Sequence, residues 1–186
     1  MKRFFDLILA VFLLILLSPL FLIIALSIRV TSNGPIIYWS DRVGINNNIF
    51  KMPKFRTMLV NTPEVATHLL KNPARFLSPI GNFLRKTSFD ELPQLFSIIS
   101  GQMSFVGPRP ALFNQNDLVE LRTNKGIDQL LPGITGWAQV NGRDELSIPE
   151  KVELEVEYME QKSFWFDLKI LWLTLVRVPN FKGVSH

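Results

Sequence analysis

Two adjacent carboxylates, Asp90 and Glu91, sit in Ser88-Phe89-Asp90-Glu91-Leu92-Pro93-Gln94-Leu95, with Gly107-Pro108-Arg109-Pro110 a short distance downstream. A carboxylate is a weak nucleophile in water, yet it attacks phosphorus when cations neutralise the phosphate oxygens and the reacting atoms are held in line. The chain carries cations for that task at Lys54, Arg56, Arg85, Arg109 and Arg143. Prolines flank Arg109, so its loop is pre-organised, and a guanidinium can hold phosphate oxygens in bidentate fashion. The alternation of Lys54-Phe55-Arg56 predicts a strand that sends both cations to one face. Taken singly, an Asp-Glu pair is usually a dipole-favoured first turn and a lone arginine a solvated charge. A rigid arginine loop following a carboxylate pair points instead to a diphosphate site, where one carboxylate faces the phosphorus and its neighbour binds a metal or a second substrate.

Composition narrows the chemistry further. The chain has no cysteine, which removes disulfides, thiolate metal sites and a cysteine nucleophile, and its two histidines are His68 and His186. A Ser-His-Asp triad or a histidine-rich metal centre is therefore disfavoured, and acid/base work falls to carboxylates. A net charge of +4 favours anionic partners: phospholipid, nucleotide or nucleic acid. Nucleic acid is disfavoured, because the chain lacks a dense basic stripe interleaved with aromatics. At 186 residues and 47% apolar content the chain fits one domain plus a membrane element.

That membrane element is residues 7 to 26, apolar at every position except Ser18 and Pro19, and long enough for a hydrocarbon core of roughly 30 Å. No convincing cleavage site follows it, so it is expected to stay attached. Proline in its middle removes a backbone donor and bends a helix, which suits either a kinked spanning helix or a re-entrant hairpin. Lys2 and Arg3 before it and Arg29 after it place cations at both ends. Short strands are expected at residues 36–39 and 49–52, separated by the turn residues Gly44-Ile45-Asn46-Asn47-Asn48. Residues 60–75 have helical tendency, and helices are expected at 80–84, 90–99, 114–123 and 148–161. Ser88 with Glu91 three residues later reads as a capping box, which would set the carboxylate pair at a helix N-terminus. Residues 164–176 mix tryptophan and leucine with charge, as in a helix lying in a headgroup layer or in an ordinary core helix.

Read in order, these blocks resemble the bacterial sugar transferase family, the monotopic phosphoglycosyl transferases. The resemblance rests on the Ser18-Pro19 break, Arg42-Val43-Gly44, Lys54-Phe55-Arg56-Thr57-Met58, Asp90-Glu91-Leu92-Pro93-Gln94-Leu95, Val106-Gly107-Pro108-Arg109-Pro110, and Pro132-Gly133-Ile134-Thr135-Gly136 through Gln139-Val140-Asn141-Gly142-Arg143. It implies an α/β fold, mostly helical with few short strands. Residues 1–30 would form a re-entrant membrane helix-break-helix, and residues 31–186 a catalytic head with interfacial amphipathic helices. It further implies that Asp90 attacks the sugar-bearing phosphate of a UDP-sugar and releases UMP, and that polyprenyl phosphate then takes the phosphosugar. Mg²⁺ would be held by Asp90 and Glu91, and Lys54, Arg56, Arg85, Arg109 and Arg143 would contact phosphate. The implied partners are UDP-sugar, polyprenyl phosphate and membrane phospholipid, with a homo-oligomer compatible. The implied location is the cytoplasmic face of the bacterial inner membrane.

Overall fold

The computed structural model describes residues 1–62, 73–142 and 146–177. Helix α1 (Lys2–Thr31) is the one described helix long and apolar enough to cross a membrane, and only 11% of its most apolar 18-residue stretch is buried. The break expected at Ser18 and Pro19 does not interrupt it, because helical backbone continues through Pro19. Proline cannot donate to the carbonyl of Ile15, and the Ser18 hydroxyl does so instead, at 2.8 Å. The adjacent serine therefore satisfies the acceptor that the proline would orphan.

Both ends of α1 are fastened to the rest of the chain. At the start, Lys2 Nζ meets Asp167 at 2.5 Å and donates to the Val106 carbonyl. The Arg3 guanidinium donates to the Ile98 and Ile99 carbonyls, and the buried Asp6 accepts from the Ser104 hydroxyl at 2.8 Å. Near the other end, Ile24 and Ile28 pack with Phe55 and Leu84, and Ser32 accepts from Arg56. Between these anchors Ala10 is fully buried, while Phe4, Ile8, Phe12, Ile15, Leu22 and Leu26 on other faces stay exposed.

The head is mostly helical with two small sheets. Strands β1 (Ile37–Val43) and β2 (Ile49–Phe55) form an antiparallel hairpin in which Tyr38 faces Lys54 and Arg42 faces Phe50. Pro53 is tolerated in β2 because a two-stranded sheet leaves the backbone of each strand one unpaired side. Helix α2 (Gly81–Thr87) and α3 (Gln94–Ile99) follow, then β3 (Ser104–Val106), α4 (Asn116–Asn124) and β4 (Gly133–Thr135), which pairs parallel with β3. Helices α5 (Trp137–Val140), α6 (Ile148–Gln161) and α7 (Phe164–Arg177) close the fold. The largest core cluster joins Ala10 of α1 to Met52, Ile98, Phe105, Val140, Tyr158 and Ile170, so the membrane element shares the core of the head. Helix α7 buries Ile170 and turns Trp165 and Trp172 outward, at 77% and 62% exposure, which is the reverse of a soluble surface helix. Of the helical tendency expected over 60–75, residues 73–76 form a 3₁₀ turn and 63–72 lie outside the described residues.

Elsewhere in the head, α4 and α6 are joined by a buried ion pair in which Arg122 Nε and Nη2 both donate to Glu155, each side chain at most 10% exposed. Removing one partner leaves a desolvated charge, which costs about 3–5 kcal/mol, whereas an apolar pair of similar volume is tolerated. Glu155→Ala is expected to lower the thermal midpoint sharply in detergent, with Arg122→Met plus Glu155→Leu recovering most of it. An unchanged midpoint in Glu155→Ala would refute this account.

Candidate active site

The chain enters the site through a backbone strain. Ser88 ends α2 in the left-handed region at φ 57°, unusual for a residue with a Cβ. Phe89–Glu91 then makes a single 3₁₀ turn, and α3 begins only after Pro93. The continuous helix expected over 90–99, with Ser88 and Glu91 as a capping box, is thus corrected. Pro93 has no N–H to offer the Phe89 carbonyl, and Leu92 N donates there in the tighter i to i+3 pattern. The turn buries Asp90 and swings Glu91 toward the hairpin.

Glu91 is held by two cations from distant segments. Lys54 Nζ of β2 and Arg109 Nη2 of the loop after β3 each donate to its Oε1 at 2.8 Å. The Arg109 loop leaves the carboxyl end of a parallel strand, where α/β folds place ligands. Gly107 N donates to the Thr135 carbonyl and Gly133 N to the Pro108 carbonyl. A Cβ at Gly107 would come within 2.2 Å of the Leu131 oxygen, so this closeness requires glycine. Arg85 of α2 donates through its Nε to Thr57 Oγ1 at 2.9 Å, and it acts on Asp90.

The two carboxylates are electrostatically unlike. Burial pushes Asp90 up to about 6, opposed by Lys54, Arg85 and Arg109 and assisted by Glu91. Burial also opposes charge on Glu91, but Arg109 and Lys54, through charge and hydrogen bonds, bring it well below the usual carboxylate range. Glu91 thus favours the charged form and serves as an anchor, while Asp90 is the more basic group of the pair, suited to nucleophilic work. Lys54 is itself lowered, by burial first, with Glu91 restoring part of its charge.

Of the residues singled out in the sequence, Asp90, Glu91, Lys54, Arg85 and Arg109 come together here. Arg56 does not: β2 ends at Phe55, and the Arg56 guanidinium donates instead to Ser32 at the end of α1. The expected sharing of one strand face by Lys54 and Arg56 is therefore corrected. Arg143 lies outside the described residues, and Ser18 and Pro19 lie within α1. The residue that sequence reasoning passed over is Arg42, quoted in a motif but given no role. Its Nη1 donates to the Pro110 carbonyl at 3.2 Å, and burial followed by the nearby Arg109 lowers it to about 10. The signal that could have found it is its place across the hairpin from β2, on the strand face that Lys54 shares.

Among the described residues no group of three or more His, Cys, Asp or Glu gathers as a metal site. An adjacent Asp-Glu pair with Glu91 Oε2 left clear of the two bonds on Oε1 still fits Mg²⁺, a cation that takes one or two carboxylates, waters and substrate phosphates. A small recess at Pro108 and Pro110, lined by Asn47, Arg122 and Asp128 among others, lies off the carboxylates and does not belong to this constellation.

A family model described as bacterial sugar transferase matches residues 1–180. The chain is 42% identical to UDP-glucose:undecaprenyl-phosphate glucose-1-phosphate transferase of Escherichia coli K12, over 98% of its own length and 40% of that protein's. It is 40% identical to the sugar transferase EpsL of Bacillus subtilis 168, covering 100% of this chain and 91% of that one. It is 36% identical to the exopolysaccharide production protein ExoY of Sinorhizobium fredii, covering 98% and 87%. The chain thus spans less than half of the first relative and most of the other two.

The raised Asp90 has a consequence for stability. Between its ordinary 3.8 and about 6 the unfolded chain gives up this proton while the folded one keeps it. Folding therefore loses stability as pH rises through that window, by roughly 3 kcal/mol once above it. Glu91 has the opposite sign: its contribution is present above the ordinary carboxylate range and fades as pH falls. Asp90→Asn, which keeps the shape without the charge, is expected to raise the thermal midpoint at pH 8 and leave it nearly unchanged at pH 4. An equal effect at both pH values would contradict the desolvation of Asp90.

Proposed function

Because the chain belongs to the bacterial sugar transferase family, we propose that it moves a sugar 1-phosphate from a UDP-sugar to polyprenyl phosphate by two displacements at Asp90. The observation that carries this reading is the asymmetry of the pair: a buried, basic Asp90 beside a Glu91 locked between Lys54 and Arg109. An Asp90 oxygen attacks the phosphorus that bears the sugar, and the bond from that phosphorus to the bridging oxygen breaks, so UMP leaves with the electron pair. An oxygen of polyprenyl phosphate then attacks the same phosphorus. The aspartyl–phosphorus bond breaks, Asp90 is restored, and a polyprenyl diphosphate-sugar remains. Lys54, Arg109 and Arg85 hold phosphate oxygens in line and offset their charge. Mg²⁺, held by Asp90 and Glu91, would neutralise further charge on the diphosphate. The names of the relatives direct the choice of donor and acceptor toward UDP-glucose and undecaprenyl phosphate.

The fold supplies a reason for the membrane element. A prenyl tail cannot leave the bilayer, so the phosphate it carries must be met at the boundary. Both ends of α1 are bonded to one head, and its outward faces are apolar. These contacts support a re-entrant or in-plane path, since a spanning helix would carry its two ends to opposite sides. The cations Lys2, Arg3 and Arg29 at the two ends favour the cytoplasmic side for both. The outward Trp165 and Trp172 of α7 support an interfacial position for that helix, where indole rings are favoured.

Two measurements check this reading. Purified protein given UDP-glucose and Mg²⁺ without acceptor is expected to release UMP up to one equivalent and to gain a phosphohexose on the peptide containing Asp90. Asp90→Asn should do neither, and wild-type release rates from that variant would sink the covalent route. The absence of native cysteine makes topology equally testable. Single cysteines, one inserted directly after Met1 and one introduced by Asn33→Cys, should both be labelled by an impermeant thiol reagent from the cytoplasmic side alone. Labelling from opposite sides would establish a spanning helix.

A further inference from the structure

We propose that Tyr38 and Arg42, on one face of β1, form the nucleoside end of the donor site. The Tyr38 ring stacks on the uracil, and Arg42 holds the phosphate that departs with it. This inference rests on the UDP-sugar reading above and assigns it a direction. Directly paired residues of an antiparallel hairpin point to the same face, so Tyr38, Ser40 and Arg42 share the face of Met52 and Lys54. Lys54 reaches Glu91 from that face. The Arg42 side chain runs back along β1 toward Tyr38, because its Nε donates to the buried Ser40 hydroxyl at 3.0 Å. Its Nη1 meanwhile binds the Pro110 carbonyl, so Arg42 touches the same rigid loop that presents Arg109.

Tyr38 stands directly across the hairpin from Lys54, and the Arg42 guanidinium acts on Arg109, Glu91 and Tyr38 alike, so ring, guanidinium and the cations around Glu91 form one row of neighbours. A nucleoside diphosphate likewise joins one base to two adjacent phosphates. Tyr38 is 45% exposed, which leaves ring surface to be covered. Its neighbour Trp39, paired with Pro53, points to the opposite face and is not part of the row. Arg85 of α2 acts on Asp90, and no contact ties it to Tyr38 or Arg42 among the bonds described above. The nucleotide takes the cations of the hairpin and of the Arg109 loop. A prenyl chain offers no plane to stack and no second phosphate for such a row.

The test compares binding of UDP and of inorganic pyrophosphate to the full chain in detergent with Mg²⁺. Base–aromatic stacking predicts that Tyr38→Ala weakens UDP by about tenfold or more while Tyr38→Phe binds as wild type. Pyrophosphate, which has no base, should bind Tyr38→Ala within about twofold of wild type, and this also reports that the site has folded. Arg42→Ala should weaken both ligands, and Arg42→Lys, which keeps charge but loses the fork, should recover only part. The inference is overturned if Tyr38→Ala leaves UDP unchanged, weakens both ligands alike, or raises only the KM for polyprenyl phosphate. Wild-type protein that neither binds UDP nor releases UMP would overturn the donor reading itself, a separate outcome.

Discussion

One shared oxygen organises the active region. Glu91 Oε1 accepts from Lys54 and from Arg109, joining β2, the 3₁₀ turn and the loop after β3, segments 37 and 18 residues from the carboxylate along the chain. Charge-assisted bonds in a water-poor setting are roughly twice as strong as neutral ones, and a partner left alone there would be costly. Glu91 is thus less a reacting group than the point at which three elements are registered. Once it is fixed, the adjacent Asp90 has no choice of direction: the tight turn sends it inward, where burial makes it basic. The functional asymmetry of the pair follows from a structural one.

Attachment of the membrane helix to the head follows a similar rule. Apolar packing alone is poorly directional, and a helix as greasy as α1 could slide or rotate on a hydrophobic surface. The polar bonds at its start, from Lys2 to Asp167 and from Ser104 to Asp6, set its register against β3 and α7. Tyr158 joins the same network, donating to Asp167 at 2.8 Å, and burial together with that carboxylate raises its phenol above the usual range. The long apolar helix α1 is thereby locked to the strand whose carboxyl end launches the Arg109 loop. The apolar helix and the Arg109 loop are mechanically one unit, as the proposed meeting of a soluble donor with a bilayer-bound acceptor would demand.

Much of this was legible in the residues. The apolar segment, the carboxylate pair, the rigid arginine loop and the late helices α6 and α7 follow from composition, periodicity and proline placement, because those signals are local. Lys54, Arg85 and Arg109 were legible as cations but not as neighbours. Arg56 shows why: two residues beyond Lys54, it obeys strand alternation on paper, yet the strand stops at Phe55 and its guanidinium turns to Ser32. Arg42 went unassigned because its importance comes from Pro110, 68 residues away.

Two tetrapeptides mark the boundary between these kinds of information. Ser88-Phe89-Asp90-Glu91 and Ser147-Ile148-Pro149-Glu150 carry the same serine and glutamate spacing. The second forms a capping box, with Glu150 accepting from Ser147 N at 2.8 Å, and starts α6 as its sequence says it should. The first does not, since Glu91 is taken by two cations whose bonds outweigh a neutral cap, and Ser88 is left in a left-handed turn. Sequence by itself determined that this chain has an apolar segment long enough to cross a membrane, a carboxylate pair and cations suited to phosphate. Which carboxylate is held by two cations and which is buried and more basic was decided only by tertiary structure, because it depends on the charges that folding brings to each.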